Sequence, residues 1–89
     1  MKSIYIPKPV PGFQAQIMDG EVVLLHPTLS TIIYLNQTGA LIWQLCDGSR
    51  SVDEIISLLG AAYPAERRQI TQDVPSIIDE LLSQGVLLE

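Results

Sequence analysis

The chain has one cysteine and one histidine among its 89 residues, too few for an internal disulfide or a Cys/His metal cluster. Cys46 thus gives no sign of an oxidising compartment, and no cofactor or metal is expected. Basic side chains are scarce as well. Five of them stand against ten acidic residues, for a net charge of −5, and only Arg67 and Arg68 adjoin one another. Nucleic acid rewards clustered Lys and Arg, because phosphate contacts and counterion release supply most of the affinity, so it is not an expected partner. No apolar run approaches the roughly 18 residues needed to cross a bilayer, and no basic and apolar signal segment opens the chain. A cytoplasmic protein with no membrane partner is the expectation. With 47% hydrophobic residues the chain is no disordered acidic tail. It suits one small domain, near the lower limit for folding without staples.

What is present begins with prolines. Pro7, Pro9 and Pro11 occupy alternate positions, which blocks a helix and favours an extended, Pro-rich arm over residues 1–12, either mobile, docked on the domain or exchanged with a neighbouring subunit. Residues 13–89 form the domain. Asp19-Gly20 is a two-residue turn suited to type I′ geometry and joins strands at 13–18 and 21–26 into a hairpin. Pro27 closes the second strand, and residues 27–30 lead to a third at 31–35, so a three-stranded antiparallel meander is the most economical sheet. Val22-Val23-Leu24-Leu25 and Ile32-Ile33-Tyr34-Leu35 do not alternate. Strands with one wet face should alternate, so both faces are expected to be covered, one by helices and the other by the arm, a second subunit or a bound peptide.

Asn36 is a good N-cap for a helix at 37–46 that buries Leu41, Ile42 and Leu45, with Trp43 at its margin. Gly39 within it fits close packing against a strand. Asp47-Gly48 ends the helix, and Ser51-Val52-Asp53-Glu54 has capping-box spacing for a second helix at 52–63, whose apolar stripe is Val52, Ile55, Ile56, Leu58 and Leu59. After Pro64, a third helix from near Ala65 carries Ile70, Val74, Ile77, Ile78, Leu81 and Leu82 at helical spacing, with Gly85 as C-cap. Pro75 interrupts it. A proline removes one backbone donor and crowds the preceding turn, which predicts a kink, or a break near residues 71–74.

The order βββααα predicts an α+β, winged-helix-like domain: a three-stranded antiparallel sheet followed by three helices. Such domains often read DNA through the last helix, but here that helix mixes Arg67 and Arg68 with Glu66, Asp73, Asp79 and Glu80. Catalysis is not expected either. His26 precedes a proline at a strand end, Cys46 reads as a buried small residue, and the Asp53-Glu54 and Asp79-Glu80 neighbours diverge around their helices. No glycine-rich phosphate loop occurs. What remains is the third strand, Thr31-Ile32-Ile33-Tyr34-Leu35, at the edge of the meander. It has none of the Lys, Pro or bulges that usually blunt an edge. Such an edge is either covered by a helix or a second copy, or takes an added peptide strand.

Tyr34-Leu35-Asn36, Thr38-Gly39-Ala40-Leu41-Ile42-Trp43, Leu45-Cys46-Asp47-Gly48 and Ser51-Val52-Asp53-Glu54-Ile55 together resemble the PqqD family, also called RiPP recognition elements. The likeness runs from about Gly12 to Leu88. It implies a non-catalytic protein, monomer or homodimer, that holds the leader segment of a ribosomally made precursor peptide while a leader protease or a radical SAM enzyme acts on the rest. The resemblance places the leader beside Thr31, Ile32, Ile33, Tyr34 and Leu35, with Arg67, Ile70, Asp73, Val74, Ile77 and Leu81 of the third helix as the opposite wall. Asn36-Gln37-Thr38-Gly39-Ala40-Leu41 and Ala62-Tyr63-Pro64 look like the lasso peptide members, which are slightly favoured. Leu45-Cys46-Asp47-Gly48 with Ser51-Val52-Asp53-Glu54-Ile55 looks as much like members serving radical SAM enzymes, including those of pyrroloquinoline quinone synthesis.

Overall fold

Local signals in the chain explain most of the elements. The structure, a computed structural model, describes residues 5–88. Strands β1 (Gln14–Met18), β2 (Glu21–His26) and β3 (Thr31–Leu35) form one antiparallel sheet in the order β1-β2-β3. Met18 pairs with Glu21 across the first turn, where Asp19 (φ 51°) and Gly20 (φ 82°) both take positive φ, as type I′ geometry requires. The four-residue turn before β3 ends on Ser30 at φ 53°. His26 holds that turn in place, its Nδ1 accepting from the Leu29 amide at 3.2 Å and its Nε2 lying 3.1 Å from the Pro11 carbonyl. Phe13 meets the His26 ring edge-on.

Three helices follow: α1 (Gln37–Leu45), α2 (Val52–Ala62) and α3 (Arg67–Ser83), the last preceded by a single 3₁₀ turn at Pro64–Glu66. Asn36 Oδ1 caps α1 by accepting from the Gly39 amide at 2.8 Å. Both halves of the capping box are made on α2, Glu54 N–H to Ser51 Oγ and Ser51 N–H to Glu54 Oε1. At the end of α3, the Gly85 amide donates to the Leu82 carbonyl and the Val86 amide to that of Leu81. That is a Schellman motif, and it needs the positive φ of 79° that Gly85 supplies.

The core lies between one face of the sheet and the helices, with Leu24, Ile42, Ile55 and Val74 nearly or wholly removed from solvent. Each such side chain contributes about 1.5–3 kcal/mol of burial free energy. Residues 5–10 of the arm lie against the domain. The Gly48 amide bonds the Pro7 carbonyl, the Val10 amide that of Val86, and the Leu88 amide that of Lys8, while Pro7 itself is buried.

The structure narrows three expectations. The arm does not cover the sheet's second face: Ile32 is 57% and Tyr34 77% exposed, and residues 7–10 instead bond Gly48, Val86 and Leu88. Leu58 points outward at 46% exposure, since α3 covers the Ile55 and Leu59 side of α2. Pro75 neither breaks nor restarts α3, which is one helix of 17 residues with the proline inside. It forgoes the bond to the Thr71 carbonyl while helix packing on Val74 and Ile78 holds the turns together.

Candidate functional site: an open strand edge beside a helix

Hairpin geometry settles which backbone groups of β3 are free. In a two-residue hairpin the residues flanking the turn exchange both hydrogen bonds, and alternate residues of an antiparallel strand direct their N–H and C=O to opposite neighbours. Glu21, Val23 and Leu25 therefore bond β1, leaving Val22, Leu24 and His26 to bond their partners Leu35, Ile33 and Thr31. By the same parity the N–H and C=O of Ile32 and Tyr34 face away from β2. These are the groups an added strand would use.

Side chains sort by the same period. Ile33 and Leu35 point to the core at 7% and 8% exposure, and Ile32 and Tyr34 stand on the open face. Thr31 is half-buried, its hydroxyl donating to the Leu29 carbonyl.

α3 and its C-cap border a depression at each end of β3. At its C-terminal end Gln84 shares a shallow depression with Thr31, Ile32, Ile33 and Tyr34. Further back, Ile70, Asp73 and Val74 line a hollow of about 240 Å³ together with Gln37, Thr38 and Leu41 at the start of α1. α3 thus runs antiparallel to β3, and the two depressions, one at each end of the strand, together make up the groove. Ile70, Asp73 and Ile77 are half-buried on this flank, three or four residues apart. Val74 and Leu81 are core residues at most 2% exposed, and Val74 reaches the groove only as the floor of the hollow. Arg67 is placed elsewhere: its stem lies over Gly60 of α2, where an added Cβ would come within 3.4 Å of Cγ and Nε. Gln37, Thr38, Tyr63, Glu66, Gln69 and Gln84 line the two depressions without having been named as site residues from the sequence. Gln37, Thr38 and Tyr63 stand in the lasso-like segments, whereas Glu66, Gln69 and Gln84 offered only polarity beside an apolar helix face.

The groove holds no catalytic constellation among the described residues. No group of His, Cys, Asp and Glu there could hold a metal. Cys46 is buried, and desolvation together with the neighbouring Asp47 carboxylate raises its thiol pKa to about 12. Asp47 is held below the usual carboxylate range by hydrogen bonds from the Ser49 hydroxyl and amide, with Arg50 adding to the effect. That cluster caps the α1–α2 turn, apart from the groove. No helix among the described residues is long and apolar enough to cross a membrane.

Fold and edge define a winged-helix-like α+β domain with a strand left open beside its last helix. Residues 21–87 match the family model described as "Coenzyme PQQ synthesis protein D (PqqD)", and the chain belongs to that family. A "PqqA binding protein" of Rhodopseudomonas palustris strain BisB5 is 46% identical over 48 residues, covering 54% of this chain and 47% of that protein. Another with the same description, from Bradyrhizobium diazoefficiens, is 41% identical over 46 residues, covering 52% of this chain and 45% of its own. The chain spans about half the length of these curated relatives. Solved structures match over more of it. "TbiB1 in Complex with the TbiA(beta) Leader Peptide" superposes with a TM-score of 0.75 at 28% identity, covering 90% of this chain and 93% of that one. "Lasso peptide synthetase B1 complexed with the leader peptide" gives 0.78 at 25% identity, covering 96% and 100%.

Proposed function

We propose that this protein binds the leader segment of a ribosomally synthesised precursor peptide as an added strand on β3, and presents it to a leader protease or modifying enzyme without catalysing a reaction itself. The observation that carries this reading is the unpaired edge at Ile32 and Tyr34, flanked by α3, in a fold shared almost end to end with two proteins solved with leader peptides. Main-chain pairing would supply affinity, and the groove beside α3 the sequence preference. Holding the precursor near its enzyme raises the effective concentration of one for the other, which needs no chemistry from this chain.

The lasso peptide type is favoured, because both of those neighbours are matched over nine-tenths of this chain or more. A second reading, a partner for a radical SAM enzyme acting on a PqqA-like peptide, draws on the relatives named for PqqA binding. Fluorescence polarisation with labelled synthetic peptides distinguishes them. A lasso-type leader from a precursor gene adjoining this one should bind saturably, more tightly than a PqqA peptide and far more tightly than its own scrambled sequence. Equal binding of leader and scramble would overturn the proposal. Mass spectrometry of the leader after incubation with the protein alone should find it unchanged.

A further inference from the structure

The hollow between α1 and α3 begins where β3 ends, and its chemistry differs from that of the strand edge. Its floor is apolar, with Leu41, Ile70 and Val74 among its residues, while Glu66 and Asp73 stand in its wall. At about 240 Å³ it has room for roughly eight waters at liquid density, or for one long side chain. The two carboxylates have no cationic partner: the one ion pair among the described residues joins Arg50 to Asp47. Gln69 Nε2 donates to Asp73 Oδ1 at 2.9 Å, leaving the second oxygen available. Arg67 follows Glu66 in sequence but leans on α2. The first turn of α1 also borders the hollow through Gln37 and Thr38, and a helix N-terminus carries only about half a positive charge. Against two carboxylates that leaves the mouth clearly negative.

We infer that this hollow takes a lysine or arginine side chain of the bound leader, with its methylene stem on Leu41 and Ile70 and its cationic head at Glu66 and Asp73. This rests on the leader-binding reading and adds a selection rule to it. A basic residue a few positions beyond the segment paired with Ile32 and Tyr34 decides which leader is accepted. Long basic side chains suit such a site because they lay apolar stems on apolar surface while the charge stays at the rim.

The test uses the full chain and synthetic leaders of the adjoining precursor, each carrying Lys, norleucine or Glu at one position flanking the strand-forming segment. At one position the Lys form should bind about five-fold more tightly than the norleucine form, the scale of one or two partly exposed ion pairs, and the gain should shrink as salt rises. In the double variant Glu66→Gln, Asp73→Asn that gain should vanish while the norleucine form binds as before. The pair Glu66→Lys, Asp73→Lys should reverse the preference toward the Glu form. A Lys preference that survives the double variant, or no Lys preference at any position, would overturn the inference while leaving leader binding intact. Should no leader bind the parent, or should Ile32→Pro bind as well as the parent, the leader-binding reading falls and this inference with it.

Discussion

Proline substitutions at Ile32 and Ile33 should have opposite consequences, although the two positions are adjacent and carry the same side chain. Ile33 faces Leu24 across the ladder, its side chain is 7% exposed, and parity directs its N–H to β2. Ile33→Pro removes that donor, leaves the Leu24 carbonyl unsatisfied at about 1–3 kcal/mol, and trims a packed isoleucine at about 1–2 kcal/mol more. A loss of about 3–5 kcal/mol is a large share of the stability of a domain this size, and lowers its melting temperature by roughly 4–8 °C per kcal/mol. Ile32→Pro removes a donor that bonds nothing in β2, and its side chain is already 57% exposed. Edge strands tolerate proline in that orientation, so the cost should be about 1 kcal/mol, mostly backbone strain. Thermal melts by circular dichroism read the first difference, and fluorescence polarisation with the labelled leader reads the second. Ile32→Pro should melt near the parent and bind the leader at least about ten-fold more weakly, having lost a hydrogen bond and placed a ring in the seam. Equal melting of the two variants, or full binding by Ile32→Pro, would refute the register and the docking edge drawn from it.

Pro75→Ala should raise the melting temperature, because the proline sits inside α3 and alanine restores the donor for the Thr71 carbonyl. About 1–3 kcal/mol is expected, and a fall on thermal melting would contradict the placement. Ser51→Ala breaks one of the two capping-box bonds of α2 and should cost about 1 kcal/mol, read by urea titration as a lower midpoint at unchanged slope. Cys46, with its thiol pKa raised to about 12, should resist a thiol-specific disulfide reagent at pH 8 in the native protein and react once urea unfolds it. The folded chain retains that proton where the unfolded thiol, near pH 9, has lost it. Stability from this group is therefore complete below about pH 9 and declines as pH rises toward 12, which melts across that range measure.

Wherever a residue's local chemistry dictates the backbone, the sequence could be read directly. Asp19-Gly20 makes the hairpin, Asn36 and Ser51 with Glu54 start two helices, and Gly85 ends the third, each through a bond within a few residues. Ile33 and Leu35 against Ile32 and Tyr34 were harder, since four apolar residues in a row do not say which pair is buried. That depends on which face the helices cover. Leu58 fits the apolar period of α2 yet faces solvent, because period names a stripe and not the neighbour that reaches it. Of the two outcomes expected at Pro75, the break does not occur: its local penalty is real, but Val74 and Ile78 anchor α3 on both sides of it. Of the helix residues expected to face the leader, Ile70, Asp73 and Val74 line the hollow beside α1. Arg67 lay outside it because the stem found Gly60, a contact between helices that no local pattern encodes.

Amide hydrogen exchange by NMR, with and without the leader peptide, tests β-augmentation at β3 most directly. In the free protein the amides of Ile33 and Leu35 should be protected by β2, and those of Ile32 and Tyr34 should exchange quickly. Addition of the leader should slow Ile32 and Tyr34 selectively. Leader binding that leaves both of these amides exchanging as fast as before would contradict an added strand at this edge.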